Sequence, residues 1–570
     1  MRMLLLNLNL LATAPGGVAR LRELILTLAV QGKLVPQDPK DEPASELLKK
    51  IRGEKDRLIA EGKIKRDKAL AEVADDEKPF GLPRGWEWAR CSDYFLELCT
   101  GPFGSVIHQE DYVRDGVPLI NPSHMVEGRI VHDPRVTLNM KDAERLSAYG
   151  LSAGDIVLAR RGEVGRYALV TEREHGWLCG TGSFFVRLHK SCNREYLGLL
   201  FTDSRFRQHL QGESVGTTMT NLNQGILLGA LIALPPLSEQ SRIVTRVEEL
   251  MRLCDALEAK GQLEATQHAQ LVSTLLGTLT NSDTPEQLAE SWQRIATHFD
   301  LLLDRPEAID ALEQTILQLA VRGLLVPQDP QDEPASLLLK KIRAEKDKLI
   351  AGGKIKRDKP LQPIAEDEPP FPLPLGWDWV RFDELTHPLK PIAYGVLVPG
   401  PDVETGIPFA RIADLSLTDP PIKPEKSISA EVDAQFQRTR LEGGEILMGV
   451  VGSIGKLGVA PLTWAGANIA RAICRIVPAD AGLREYVLFL LETEFMQTSF
   501  AGDTRTLAQP TLNIGLIRQA LTPIPPPAEQ SRIVTRVAQL RRLCADLRQR
   551  LTASQSTQAY LAEALVQGVG

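Results

Sequence analysis

The 570-residue chain has no run approaching 18 uncharged apolar residues, so no membrane-spanning helix is legible in it. Its seven cysteines (Cys91, Cys99, Cys179, Cys192, Cys254, Cys474 and Cys544) are odd in number and contain no C-x-x-C pair. That argues against a disulfide framework or a cysteine zinc site and predicts a reducing, cytoplasmic compartment. The nine histidines are scattered, with no H-E-x-x-H, so no metal site is expected. An excess of positive charge is also lacking, since 66 Lys+Arg against 73 Asp+Glu leave −7. What remains, 43% hydrophobic and 24% charged residues, is ordinary globular composition and excludes a disordered or collagen-like chain. At about 100–200 residues per domain the length predicts three to five domains.

The first fourteen residues, MRMLLLNLNLLATA, imitate a secretory signal with Arg2, an apolar stretch and Ala12-Thr13-Ala14 before Pro15. The same element recurs internally from His298 to Asp304, where no such signal operates, so the signal reading is set aside.

Self-similarity organises everything else. Residues 21–90 align without a gap on 312–381, with 49 of 70 positions identical. Each copy opens with a helical pattern (Leu21 to Gly32; Leu312 to Gly323), followed by V-P-Q-D-P-x-D-E-P-A-S, whose prolines stop the helix. Ser45 or Ser336 is expected to cap a second helix. That helix ends in a basic run, Gly62 to Lys68 or Gly353 to Lys359, read as a solvated helix end. An acidic linker then closes at L-P-x-G-W-x-W (Leu82 to Trp88; Leu373 to Trp379). The Trp pairs Trp86/Trp88 and Trp377/Trp379, at i and i+2, are expected to face one side of a strand and seal the adjoining insert onto the frame.

A second repeated block runs from Leu234 to Leu257 and from Ile524 to Leu547. After its Pro-Pro, apolar residues recur at Ile243, Val247, Leu250, Cys254 and Leu257, and at Ile533, Val537, Leu540, Cys544, Leu547 and Leu551. The 4-3-4-3 spacing predicts a coiled-coil seam on helices reaching about Thr280 and Val566, each roughly 60 Å long.

Between the blocks lie two segments, 91–233 and 382–523, that have diverged but keep a skeleton at a shift of 290. Gly116-Val117-Pro118 matches Gly406-Ile407-Pro408, and Gly154 to Leu158 matches Gly444 to Met448. Gly162 and Gly165 match Gly452 and Gly455, and Leu222-Asn223 matches Leu512-Asn513. Short aliphatic runs bounded by Gly, Asp and Pro predict a mixed α/β domain in each. The parts are therefore 1–90, 91–233, 234–311, 312–381, 382–523 and 524–570. Two equal frames carrying unequal inserts suit a protein that presents two reading heads at a set separation. Spacing alone is compatible with DNA, read by paired modules, and equally with a two-headed protein scaffold.

The L-P-x-G-W-x-W segment, the G-[VI]-P and G-[DE]-I-[VL]-[LM]…G-x-[VI]-G patterns and the P-P-x-x-E-Q-x-R-I-V segment, each present twice, resemble a type I restriction-modification specificity subunit. The resemblance spans nearly the whole chain. It implies an α+β fold, a tandem pseudo-twofold repeat of two mixed α/β target recognition domains joined by long helices that form an antiparallel coiled coil. It further implies a bipartite, asymmetric double-stranded DNA site, two docked methyltransferase subunits that bind S-adenosylmethionine, and ATP-dependent restriction subunits as further partners.

The chain's own residues carry no catalytic set. A methyltransferase needs a polar side chain ahead of Pro-Pro, but Leu234 and Ile524 stand there. The run Gly449 to Leu457 resembles a phosphate loop, yet has five residues where four are required and Leu457 where Ser or Thr meets magnesium; a tight turn beside a strand is the preferred reading. The expectation is no enzyme activity and no cofactor on this chain. Residue chemistry marks candidate DNA contacts, because Arg, Lys, Ser and Thr suit phosphates while Arg, Asn and Gln suit base edges. In the first insert these are Gly104, Ser105, Asn121, Arg160, Arg161, Thr217, Thr218, Asn221 and Asn223. In the second they are Arg411, Ser453, Lys456, Arg505, Thr506, Gln509, Thr511 and Asn513. Neither insert is basic, with 14 Lys+Arg against 16 Asp+Glu in 91–231 and 12 against 16 in 382–523. Affinity from counterion release is therefore expected to be modest without partners.

Overall fold

The computed structural model describes residues 8–68, 70–102, 106–212, 222–282, 284–357, 360–502 and 511–567. The chain divides into two compact units, Met1–Glu264 with Gln555–Gly570, and Ala265–Ser554.

In the first unit α1 (Gly17–Val30) buries Leu24, Ile25, Leu28 and Ala29 on one face. It stops at Gly32, whose φ of 68° suits a residue without Cβ and whose added Cβ would lie 2.6 Å from Pro83 and 2.8 Å from Trp86. Helix α2 (Ala44–Ala60) packs through Leu47 and Ile51. Its N-cap is Pro43 rather than Ser45, which lies inside the helix, and in the second unit Pro334 likewise replaces Ser336. The reason is local. Proline presets the extended backbone just before the helix, and the orphan N–H of Ala44 donates to Gly85 O at 2.9 Å, so no side-chain cap is needed. The exposed Lys63, Lys65 and Arg66 follow the helix, in line with a solvated helix end.

The insert leaves and returns through one antiparallel pair, Glu87–Arg90 with Leu231–Leu234. Between these ends two sheets form the body of the insert. One is antiparallel, in the order Phe95–Thr100, Ser183–Leu188, Ile156–Ala159, Tyr167–Leu169. The other is mixed, in the order Leu178–Cys179, Val117–Ile120, Thr137–Leu138, Tyr112–Val113, with its first pair parallel. Side chains of the antiparallel sheet alternate between two cores, as a period of two requires. Ile156, Leu158, Phe184 and Val186 join the frame, whereas Val157, Ala159 and Phe185 face Ile120, Met125 and Val170 inside the insert.

Helix α3 (Leu237–Thr280) has 44 residues, about 66 Å at 1.5 Å per residue. Its seam residues Ile243, Val247 and Cys254 are buried in the same core as α1, and Arg22 of α1 pairs with Asp255 (2.7 Å) and Glu258 (3.0 Å). The seam thus packs on the repeated N-terminal helix of its own unit. Residues of α3 beyond 264 belong to the second unit, where Val272, Leu276 and Leu279 are buried.

The second unit repeats the plan. Helix α4 (Pro306–Val321) stands where α1 stood, and α5 (Ala335–Ala351) where α2 stood. Asp378–Arg381 pairs antiparallel with Leu521–Ile524. One sheet runs Ala393–Tyr394, Ile473–Ile476, Ile446–Gly449, Leu457–Val459, and a second runs Lys426–Ile428, Ile407–Ala410, Asn468–Ile469, again with one parallel pair. Helix α6 (Pro527–Gln567) buries Ile533, Val537 and Cys544, with Leu540, Leu547 and Leu551 packed at the edge. Arg548 pairs with Asp310 (2.5 Å) and Glu313 (3.2 Å) of α4. Its last residues belong to the first unit, where Ala562 is buried and Glu563 pairs with Arg20 at 2.7 Å. Each unit therefore contains the far end of the helix that starts in the other.

The repeated motifs meet in one joint per unit. Buried Glu239 accepts from the indole Nε1 of Trp86 (3.1 Å) and from Gln37 Nε2 (3.1 Å), while Gln240 Nε2 donates to Pro235 O (2.9 Å) and Arg242 pairs with Asp41 (2.7 Å). Glu529 does the same with Trp377 (3.0 Å) and Gln328 (3.1 Å), Gln530 with Pro525 O (2.8 Å) and Arg532 with Asp332 (2.6 Å). Burial pushes both carboxyls above the usual glutamate range, and the Gln and Trp donors oppose that rise. Trp86 and Trp377 donate to the long helices of the frame and not to the inserts they were expected to seal. They precede the strands that begin at Glu87 and Asp378, and their i+2 partners work separately: Trp88 donates to Phe80 O at 3.4 Å and stacks edge-on against the Phe80 ring.

Candidate nucleic-acid interface

Three strand ends and one incoming segment converge in each insert. In the first, Gly180 N donates to Ile120 O (2.9 Å), Arg160 N to Gly182 O (2.9 Å), and Leu222 N to Arg160 O (2.9 Å). In the second, Ala470 N donates to Ala410 O (2.9 Å), Val450 N to Ala472 O (2.8 Å), and Leu512 N to Val450 O (2.8 Å). Every donor and acceptor pair is related by the shift of 290, so the two domains build one and the same backbone platform. Backbone groups satisfied internally leave the side chains at these ends as the variable element.

Those side chains differ. On the first platform Asn121 follows Ile120, and Arg160 lies over the Phe184 ring at 5.3 Å, where burial lowers its pKa from the usual arginine value. Arg161 beside it is exposed. On the second platform Arg411, Val450 and Val451 stand at the equivalent positions. Arg411 is braced by Asp414, whose carboxylate accepts from its backbone N (2.7 Å) and lies 3.6 Å from the guanidinium. Thr511 sits beside Val451 in an isolated bridge and is exposed.

Other candidates have local duties. Asn223 and Asn513 cap short helices, accepting from Ile226 N (2.9 Å) and Gly515 N (2.7 Å) through Oδ1. Lys456 Nζ donates to Ile412 O at 2.9 Å, and Ser453 lies exposed in the turn after Ile446–Gly449. That turn, closed by Gly455 N to Gly449 O at 2.9 Å, is the feature that resembles a phosphate loop. Gly104, Ser105, Thr217, Thr218, Asn221, Arg505, Thr506 and Gln509 lie outside the described residues.

Residue chemistry read position by position does not single out Arg471 and Thr181, which the structure places on the platform. Both occupy the turn that supplies the second platform hydrogen bond, and Arg471 is exposed there. The signal was available in the register: a shift of 290 from Gly180-Thr181-Gly182 falls on Ala470-Arg471-Ala472. Among the described residues no group of three or more His, Cys, Asp or Glu could hold a metal ion, and no helix is long and apolar enough to cross a membrane.

Residues 104–267 match the type I restriction modification DNA specificity domain. Over 562 residues the chain is 36% identical to the EcoAI specificity subunit of a type I restriction enzyme from Escherichia coli, covering 96% of this chain and 93% of that protein. The chain belongs to the type I restriction-modification specificity subunits. The EcoEI specificity subunit of Escherichia coli is likewise 36% identical over 575 residues, with 96% of this chain and 93% of that protein covered. Among solved structures, the HsdS subunit of Thermoanaerobacter tengcongensis is similar at a TM-score of 0.40 and 20% identity, covering 86% of this chain and 98% of that one. As a specificity subunit this chain is non-catalytic, and its two sheet-rich domains are target recognition domains. The matched segment takes in most of the first of them and the beginning of α3. The second rests on the relatives' full-length similarity and on the internal repeat.

Proposed function

We propose that this specificity subunit reads a bipartite, asymmetric double-stranded DNA site, one half with each recognition platform, and directs two methyltransferase subunits and ATP-dependent restriction subunits to it. The observation that carries the reading is the pair of platforms: identical backbone hydrogen bonds present different side chains, Asn121 and Arg160 on one, Arg411 and Arg471 on the other. Two unlike surfaces on one scaffold give an asymmetric site in two parts. S-adenosylmethionine belongs to the methyltransferase partners on this reading, since the sequence offers neither a Gly-rich cofactor loop nor, ahead of Pro-Pro, the polar residue that would hold a flipped base. The acidic balance of both inserts assigns much of the phosphate neutralisation to those partners as well.

The test is a single-molecule methylation map of DNA from cells expressing the chain with its methyltransferase, against cells lacking the chain, and a second map after residues 91–233 are exchanged for another member's domain. A bipartite motif that needs the chain, with one half altered by the exchange, is the expected result. Methylation that ignores the chain, or an exchange that alters both halves together, overturns it.

A further inference from the structure

One platform position turns the difference between the two domains into chemistry. Asn121 and Arg411 stand 290 residues apart, each the first residue beyond a strand of the mixed sheet, at Ile120 and Ala410. Their backbones are alike, with φ −91° and ψ 166° at Asn121 and φ −111° and ψ 168° at Arg411. In both, the backbone N–H is taken up by the side chain three residues on, His124 Nδ1 at 3.2 Å and Asp414 Oδ2 at 2.7 Å. Each also keeps a buried polar atom without a hydrogen-bond partner, Oδ1 of Asn121 and Nε of Arg411, the latter 3.6 Å from the Asp414 carboxylate and beyond hydrogen-bond reach of it. Among the described residues seven side-chain atoms are in that condition, and only at this position do both copies of the repeat hold one. An orphaned polar atom is a standing cost in the free protein, and a side chain that turns out to a bound group gains the missing partner.

The surroundings differ in a way that fits the two side chains. A Cβ at Gly180 would lie 2.2 Å from Asn121 Oδ1, so the glycine makes room for the carboxamide; its counterpart is Ala470. Arg411 instead lies between Asp414 and Glu425, at 3.6 Å and 3.4 Å, and Glu425 is exposed enough to yield to a competing acceptor. A carboxamide offers a donor and an acceptor together, the complement of N7 and N6–H on adenine; a guanidinium offers donors alone, the complement of O6 and N7 on guanine. We infer that this shared position reads a base in each half-site, adenine through Asn121 and guanine through Arg411. The inference rests on the DNA reading proposed above and adds the residue and the base to it.

The experiment uses complexes of the full chain with its methyltransferase partners, acting on a duplex library randomised across both half-sites and sequenced for methylation. Asn121→Ala should lower discrimination for adenine at one position of one half-site by roughly 5- to 100-fold, and Arg411→Ala should do so for guanine at one position of the other. Asn121→Asp preserves shape and so folding, yet should lose the adenine preference, whereas Arg411→Lys should retain part of the guanine preference because lysine also donates to O6 and N7. A wild-type bipartite motif that all these variants read with unchanged stringency overturns the assignment and leaves the DNA reading intact. A wild-type complex that methylates without any bipartite motif overturns the DNA reading itself.

Discussion

The frame and the platform of each unit repeat in opposite ways. In the frame, side-chain contacts recur: Trp86 and Trp377 donate to Glu239 and Glu529 at 3.1 and 3.0 Å, and Gln240 and Gln530 donate through Nε2 to Pro235 O and Pro525 O at 2.9 and 2.8 Å. On the platform the main-chain hydrogen bonds recur while the side chains change, Asn121 facing Arg411 in the alignment and Arg160 facing Val450. A side chain whose partner lies inside the unit cannot change alone without leaving a buried group unsatisfied, whereas one whose partner lies outside can. Repetition of side chains therefore marks the scaffold, and repetition of backbone under changing side chains marks the surface proposed above to read DNA.

The frames are not perfect copies. Arg541 of α6 forms ion pairs with Glu492 and Glu313, where the first unit has Met251 in place of the arginine, Thr202 in place of Glu492 and Arg22 in place of Glu313. A groove of about 1070 Å³ stays open at that place in the first unit, floored by Tyr167, Leu199, Phe201, Val247 and Met251. Phe495 completes an aromatic trio with Phe371 and Trp379 in the second unit, and its counterpart is Arg205.

The comparison breaks most readily at the joints. Glu239→Leu strands the indole N–H of Trp86 and leaves the Gln37 amide only its bonds to Gly32 O and Val35 O, and should cost the first unit about 3 kcal/mol in urea unfolding. Glu529→Leu should cost the second unit the same; losses that differ severalfold would mean the frames are equivalent in geometry but not in energy. A smaller effect comes from burial of these carboxyls. Their pKa is raised in the folded state, so the fold binds protons that the unfolded chain has released, and the stability they contribute is full below the ordinary glutamate value of 4.5 and is lost as pH rises through the folded value. Wild type minus Glu239→Gln or Glu529→Gln should therefore show stability falling with pH above that value, by at most about 1.4 kcal/mol per pH unit for each group. A difference that rises with pH would reverse the sign and exclude burial as the dominant cause. The smallest effect should come from Arg541→Met, which gives the second unit the residue of the first and leaves Glu492 without this cation; about 1 kcal/mol is expected in thermal or urea unfolding. No measurable loss would show that the groove in the first unit lacks nothing the ion pair supplies.

Much of the architecture was legible in the residues alone. The repeat, the long helices and the seam follow from periodicity and from proline and glycine at fixed offsets, because these are local constraints on φ, ψ and helix faces. Ile243, Val247 and Cys254 proved buried where the spacing put them. Their partner was not legible: heptad spacing says which face is apolar but not that α1 and Arg22 cover it. The helix cap at Ser45 failed for the same reason, since the group that relieves the first N–H, Gly85 O, lies 41 residues on.

The sequence by itself determined the duplicated order, the two divergent inserts, the helix faces and the absence of a catalytic set, each being a matter of residue type at short or regular spacing. Only the tertiary structure decided that Ile120, Arg160, Gly182 and Leu222 meet on one platform, that Glu239 closes on Trp86, and that Arg22 reaches Asp255. These depend on contacts between residues far apart in the chain, where the pairing of strands and the burial of a shared core, rather than any local preference, choose the partner.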